Sequence, residues 1–236
     1  MVSIKLTLAT ALLAISAAMG AHAQGLKLES QVVLINTADG EGVMTLKNTD
    51  AQPILLYTSV QTVDEDPVER VLVTPPVARV EPGDSQLVRF IFKKDEALKT
   101  ETMARAIFEG IPPASKKNAL QLTIRQNVPL IIHPASLAEN DEPWKLLSFS
   151  KLPNGNVTVH NTGAYVVRMA SDIFLLPGNA HATLPRNYLL PGETVVATRA
   201  ANSTPAPTEA TARITPASLY GVLVTPYESV LVPSAN

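Results

Sequence analysis

Downstream of residue 24 the chain carries three histidines, His133, His160 and His181, and none of its 236 residues is a cysteine. Imidazoles do metal chemistry when several ligands converge, as zinc sites require. These three fall in different segments and in no H-x-x-x-H or H-E-x-x-H spacing, so they read as structural or surface groups. The lack of cysteine excludes thiol catalysis, thiolate metal sites and disulfide staples. Carboxylates gather at Asp64-Glu65-Asp66 and at Glu139-Asn140-Asp141-Glu142, two runs in polar loops that read as solvated faces. No Gly-x-Ser-x-Gly elbow is present, and the 11 glycines form no phosphate-cradling loop. Asn202-Ser203-Thr204 is a glycosylation sequon whose use depends on the host. These residue types argue against an enzyme and imply neither metal nor cofactor. A hydrolase would have to be built on His160 or His181 beside a serine.

Binding chemistry has better support. Leu120-Gln121-Leu122-Thr123-Ile124-Arg125 alternates apolar and polar residues without a break. A period of two puts Leu120, Leu122 and Ile124 on one face of an extended strand and Gln121, Thr123 and Arg125 on the other. Pro129 has no N–H to give a central ladder, so this strand must run along an edge or through a bulge. An exposed edge of bulky aliphatics is an aggregation liability that proteins normally blunt, and a partner that pairs with it explains its retention. The alternative, that the three aliphatics face the chain's own core, stays open.

The elements that position this strand are themselves strands. Leu26–Ile35, Val43–Asn48, Ile54–Val63, Val71–Val73, Gln86–Phe92, Met103–Phe108 and Leu120–Ile132 are apolar or alternating stretches. Turn signals such as Asp39-Gly40-Glu41-Gly42 and Glu81-Pro82-Gly83-Asp84 separate them, while Lys93–Thr102 is polar with room for a helical turn. About seven short strands at this spacing predict an immunoglobulin-like sandwich. The polar, proline-bounded 135–143 segment reads as a linker. Beyond it Trp144–Phe149, Val157–His160, Tyr165–Leu176, Thr194–Arg199, Ala212–Ile214 and Leu219–Thr225 predict a second, smaller sandwich, with Ala200–Ala210 a mobile loop. No internal repeat of 20–50 residues is apparent.

Composition agrees. The chain is 46% hydrophobic and 17% charged with 19 prolines, which suits turn-rich β structure and is too poorly charged for a coiled coil. A net charge of −2 supplies no field for nucleic acid or an anionic membrane. Lys5, the apolar Leu6–Met19 run and Ala21-His22-Ala23 have the layout of a secretory signal peptide over residues 1–23, with Gln24 the first mature residue. No later stretch reaches the ~18 apolar residues of a membrane span, so export without membrane insertion is expected.

Several segments together carry a family resemblance. They are Thr74-Pro75-Pro76-Val77-Ala78-Arg79-Val80-Glu81-Pro82-Gly83, Val88-Arg89, Ile111-Pro112-Pro113, Asn118-x-Leu120-Gln121-Leu122 and Pro134. In this order, behind a leader and beside an alternating strand, they resemble the periplasmic chaperones of chaperone–usher pilus assembly, the PapD-like family. Asn161-Thr162-Gly163 and Leu190-Pro191-Gly192 extend the likeness thinly into the second half. The resemblance implies an all-β fold of two immunoglobulin-like domains, 24–134 and 144–236, in an L-shaped arrangement. It implies a periplasmic chaperone that lends its G strand to a pilus subunit lacking one, with Leu120, Leu122 and Ile124 as the inserted residues, and that delivers the subunit to an outer-membrane usher. A self-capping dimer or oligomer when free is a further implication.

Departures from the family pattern matter equally. Better-known members hold the subunit's terminal carboxylate with an arginine on the first strand and a lysine near the end of the G strand; those positions here are Val32 and Pro129. The arginine that usually precedes the terminal proline is His133, and the acidic residue expected before Tyr220-Gly221 is Leu219. Ile124-Arg125-x-x-Val128-Pro129-Leu130 resembles instead the archaic-type branch. The replacement anchor candidates are Arg125 first and Arg89 second, because a planar guanidinium suits a carboxylate. For Arg89 an internal ion pair is an equal alternative. A two-domain binding or adhesion module without strand donation shares the expected fold and is the competing reading.

Overall fold

The computed structural model describes residues 25–93, 97–113, 123–201, 203, 206 and 208–233. Leu120 and Leu122 lie outside the described residues, and nothing structural is said of them. In the first half, nine strands form: β1 (Leu26–Leu28), β2 (Val33–Asn36), β3 (Glu41–Asn48), β4 (Ile54–Thr62), β5 (Val71–Thr74), β6 (Val77–Val80), β7 (Ser85–Phe92), β8 (Thr102–Ile111) and β9 (Ile124–His133). Period-two burial builds them. In β7, Val88, Phe90 and Phe92 point inward while Leu87, Arg89 and Ile91 point out. Phe90 meets Phe108 of β8 edge-on, centroids 6.0 Å apart, at the centre of a core drawn from strands on both sides of the sandwich.

Hydrogen-bonded neighbours follow the order β5-β7-β3-β2-β9-β8-β4-β6, with β1 also on β3. The expected single strand over 26–35 is thus two pieces. β1 pairs antiparallel with β3, whereas β2 pairs in parallel with β9 from Val33↔Leu130 onward and touches β3 at only one pair, Asn36↔Glu41. The chain crosses from one layer to the other between them. β3 approaches β2 closely at Gly42, where an added Cβ would stand 2.2 Å from the Leu34 carbonyl oxygen. No helical turn forms over the described residues 97–101.

The second half holds β10 (Leu147–Lys151), β11 (Val157–Asn161), β12 (Val167–Arg168), β13 (Asp172–Leu176), β14 (Ala180–Thr183), β15 (Tyr188–Leu189), β16 (Thr194–Arg199), β17 (Thr211–Ile214) and β18 (Tyr227–Pro233). Seven of them close in the order β10-β11-β16-β14-β13-β17-β18, and β12 pairs with β15 alongside. Two expectations fail here. Pro143–Leu146 is a short 3-10 turn that seats Trp144 in the core, and the strand starts only at Leu147. Leu219–Thr225 is not a strand; the last strand is Tyr227–Pro233. In the stretch expected to be a mobile loop, the described residues Ser203, Ala206 and Glu209 bond to Arg199 and Lys151, while residues 202, 204, 205 and 207 lie outside the described residues.

The two halves share a device that short-range periodicity does not reveal. Asn48 is buried and its amide donates to the Gln52 and Val80 carbonyls at 2.9 and 3.0 Å, while its own carbonyl accepts from Gly83. Asn161 likewise donates to Tyr165 and Leu190 at 2.7 and 3.0 Å and accepts from Gly192. Each asparagine clamps a Pro-Gly turn whose glycine has φ near +80° or +71°, a conformation glycine enters without strain. A repeat spaced by a whole domain escapes a search for short periods.

Candidate functional site

β9 changes neighbours half-way along. Its whole length pairs with β8, from Gly110↔Ile124 to Thr102↔Ile132, but β2 joins its other side only at Leu130. From Ile124 to Pro129 that other side has no strand among the described residues, so Pro129 withdraws no donor from the β2 ladder. The edge expected from Pro129 is therefore present. Burial follows the same division: Leu130, Ile131 and Ile132 are buried, whereas Ile124 is 52% exposed. Beside the open half runs a cleft of about 490 Å³ lined by Leu26, Leu28, Gln31, Ile124, Gln126 and Val128. The Gln126 amide donates across it to the Leu26 carbonyl.

The two arginines singled out as anchors both have carboxylate partners within the chain. Arg125 Nε lies 3.2 Å from Glu109 Oε1, its direct cross-strand partner in β8. Arg89 grips Glu41 in bidentate fashion, Nε–Oε2 2.9 Å and Nη2–Oε1 2.5 Å. The Arg89 hydrogen bond holds the Glu41 carboxyl below its ordinary range and pushes the arginine up in return. The internal pair named as an alternative for Arg89 is what forms.

Between the halves lies a second, more buried group of residues. Val32 is 3% exposed and packs with Val63, Met103, Ile131, Val166 and Tyr188 into a small apolar cluster spanning the junction. Its side chain is a seam, not an anion site. Glu65 contradicts the solvated-face expectation for its run. It accepts from the Tyr188 hydroxyl at 2.9 Å and pairs with Arg186 at 3.0 Å, both from the second half. Burial, and then the Glu65 carboxylate, push the Tyr188 hydroxyl up to about 12. Asp66 is likewise engaged, with Arg70 at 2.8 Å. Glu142 does match the expectation, pairing at the surface with Lys145 at 2.6 Å.

Arg105 of β8 and Arg168 of β12 are the cations that sequence reasoning passed over. Both line a cavity of about 310 Å³ at the junction, together with Gln31, Pro129, Asn187 and Leu223. Arg105 sits over the Tyr188 ring, its guanidinium carbon 5.4 Å from the centroid, and has no carboxylate partner among the described residues. Arg168 is buried and donates to the Ser218 and Leu219 carbonyls at 2.8 Å each. Burial lowers its pKa, offset in part by attraction to Glu101. At the position where an acidic side chain was expected, Leu219 thus serves through its main chain. A sequence signal for both cations exists: each is a lone charge inside an apolar run, Met103-Ala104-Arg105-Ala106 and Val166-Val167-Arg168-Met169.

The remaining histidines behave as structural groups. His160 meets Thr194 Oγ1 at 2.9 Å, and His181 pairs with Asp172 at 2.8 Å. No described group of three or more His, Asp or Glu side chains is placed to hold a metal ion. Among the described residues, no helix is long and apolar enough to cross a membrane.

Comparison with known proteins fits this geometry. Residues 25–138 match the family described as pili and flagellar-assembly chaperone, PapD N-terminal domain. The chain is 38% identical over 210 residues to an uncharacterized fimbrial chaperone, YhcA, of Escherichia coli K12, covering 88% of this chain and 91% of that one. Among solved structures, the YadV chaperone superposes with a TM-score of 0.73 at 18% identity, over 87% of this chain and 99% of that one. The SafB chaperone of Salmonella enterica, solved in complex with the SafA pilin, gives 0.73 at 20% identity over 90% and 99%. Those structures share the fold of two immunoglobulin-like domains, and the family is one of assembly chaperones rather than enzymes. The chain belongs to the PapD-like family of pilus-assembly chaperones.

Proposed function

We propose that this chain works in the periplasm by donor-strand complementation, lending the strand that begins in the 118–126 segment to a pilus subunit. The supporting observation is Ile124, held 52% exposed on the half of β9 that, among the described residues, has a neighbour on one side only, beside an open cleft. A paired strand supplies main-chain hydrogen bonds there, and alternate side chains fill the partner's core. Leu120, Leu122 and Ile124 are the inserted residues, and burying each is worth ~1.5–3 kcal/mol. On this reading residues 1–23 are removed on export, 24–134 is the donating domain, 135–143 the linker and 144–236 the second domain. The loaded chaperone passes its subunit to an outer-membrane usher, and when free it covers the same strand with a second copy.

Co-purification of a candidate pilin subunit from periplasm, with wild type and Leu122→Glu side by side, tests the reading. A complex formed by wild type and lost by a folded Leu122→Glu is the expected result. An unfolded variant would place Leu122 in the chaperone's own core, and strand donation would have to be given up.

The subunit's terminal carboxylate needs a cation, and Arg105 is better placed than the two first considered. Arg125 and Arg89 each have a carboxylate partner already, whereas Arg105 faces the junction cavity beside Pro129 with none among the described residues. Arg168 adds its charge from the other wall. A charge-assisted hydrogen bond is worth ~1.5–3 kcal/mol, so Arg105→Ala is expected to weaken subunit binding about ten- to a hundredfold, measured by titration calorimetry. Unchanged affinity in Arg105→Ala together with a loss in Arg125→Ala would return the role to Arg125.

A further inference from the structure

Arg105 is held by an aromatic ring, and the ring belongs to the other domain. Tyr188 of β15 lies under the Arg105 guanidinium, whose carbon is 5.4 Å from the ring centroid, and it stands directly opposite Arg168 in the β12–β15 pair. One side chain therefore adjoins both cations of the junction cavity. Tyr188 is 7% exposed, and its hydroxyl donates to Glu65 Oε2 at 2.9 Å, a carboxylate of the first domain in the turn after β4. Arg186 meets the other Glu65 oxygen at 3.0 Å, pairs with Glu193, and sets its own guanidinium carbon 5.0 Å from the same ring centroid. The ring is thus fixed from both domains.

What it supplies to Arg105 is attraction without a counter-charge. A guanidinium over an aromatic face is held by the ring quadrupole. A carboxylate would hold it too, but would neutralise it and occupy its forked donors, as Glu109 does for Arg125 and Glu41 for Arg89. Arg105 and Arg168 also repel each other. Without a platform, the long Arg105 side chain would carry its head away from that repulsion toward water. The ring keeps it at the cavity with its charge unspent, the state that an anion-binding site needs.

We propose that Tyr188 positions Arg105 for the subunit's terminal carboxylate, a role that rests on Arg105 being the anchor. Arg105 comes from the first domain, the ring from the second, and the carboxylate that tethers the ring from the first again. The anchor is therefore complete only with the two domains joined. That joint has other ties. Glu101 Oε2 accepts from the Val166 amide at 2.7 Å, with Glu101 Oε1 2.9 Å from His133 Nδ1, and Val32, Val63, Met103 and Ile131 pack with Val166. Loss of the ring is expected to release Arg105 while the domains stay together.

The test is titration calorimetry of the full chain with a synthetic peptide copying the last strand of a candidate pilin subunit, made once with a free terminal carboxylate and once as the amide. Wild type should prefer the acid about tenfold or more, and Arg105→Ala should erase that preference. Tyr188→Leu should reduce it about tenfold. Tyr188→Phe, which keeps the ring and loses only the Glu65 tether, should retain more of it than the leucine variant does. A merely structural role would weaken acid and amide equally and leave the preference intact. That result in Tyr188→Leu, or the same loss of preference in both tyrosine variants, overturns the proposal. If Arg105→Ala keeps the wild-type preference, the anchor assignment itself falls and this role with it. If Arg105→Ala erases the preference and Tyr188→Leu does not, Arg105 stands as the anchor and Tyr188 does not position it. Should Tyr188→Leu not fold, Glu65→Ala serves, with a fall of about threefold expected and no fall overturning the proposal.

Discussion

Ile124→Glu will leave the chaperone folded and abolish its capture of a pilin subunit. The side chain is 52% exposed and sits at the first residue of β9, where the strand has one neighbour among the described residues. A surface substitution of this kind shifts stability by no more than ~0.5 kcal/mol, so the urea midpoint should barely move. In a complex the same position would enter the subunit's core. The variant then forfeits ~1.5–3 kcal/mol of apolar burial and places an unpaired carboxylate in a dry site, a cost of several kcal/mol more. At 1.4 kcal/mol per decade the expected loss is about a thousandfold or greater, which reads as absence of complex in native mass spectrometry of co-expressed proteins. Ile124→Val should bind nearly as wild type does. Retained binding by the glutamate variant would remove Ile124 from the interface, and a loss of more than ~2 kcal/mol in stability would assign it to the chaperone's own core instead.

The second large effect concerns stability. Glu209→Ala should destabilise the second domain by ~3–5 kcal/mol, the range for removing one partner of a buried ion pair. Glu209 Oε2 accepts from Arg199 Nη2 at 2.6 Å and lies 2.7 Å from Lys151 Nζ, and the Arg199 and Glu209 side chains are 4% and 1% exposed. Among the described residues, alanine leaves two cations facing each other without a counterion, and Arg199 keeps the Gly155 carbonyl and the Ser203 hydroxyl. Burial raises the Glu209 pKa, but hydrogen bonds from Arg199 and Lys151 outweigh it and hold the carboxyl below its ordinary value. A depressed carboxylate contributes stability that is present above the unfolded pKa, ~4.3 for glutamate, and lost as pH falls through the folded value. The wild-type and Glu209→Ala urea curves should therefore converge on acidification below that point. A difference under ~1 kcal/mol at neutral pH would mean that the network around Glu209 contributes little to the fold.

The segment that carries Glu209 shows how sequence and tertiary structure divide the information. Ala200–Ala210 is small and polar, which reads as mobile, yet its Glu209 is held in a buried group with Arg199 and Lys151. Local composition carries no record of which distant charge a glutamate will meet. The last strand was missed for a different reason. In Tyr227–Pro233 the exposed positions include Val230 and Val232, at 70% and 46%, so its alternation is not polar-out and apolar-in. The neighbouring Leu219–Thr225 run has the apolar content of a strand but forms a rim to the junction, with Arg168 holding the Ser218 and Leu219 carbonyls and Gly221 packed on Val32.

What the sequence determined by itself was local or periodic. The alternation in β3 and β7, the Pro-Gly turns with their left-handed glycines, and the one-sided stretch around Ile124 follow from side-chain period and backbone sterics over a few residues. The family pattern was legible because its prolines and glycines punctuate the chain at fixed places. The junction was left to the tertiary structure to decide. Val32 as a seam, Glu65 and Glu101 as ties to the second domain, and Arg105 and Arg168 on one cavity all depend on how two folded bodies meet. A charge on a strand reads the same from sequence whether it faces water or a partner domain, because its free energy is set by the groups the fold brings to it and not by its neighbours along the chain.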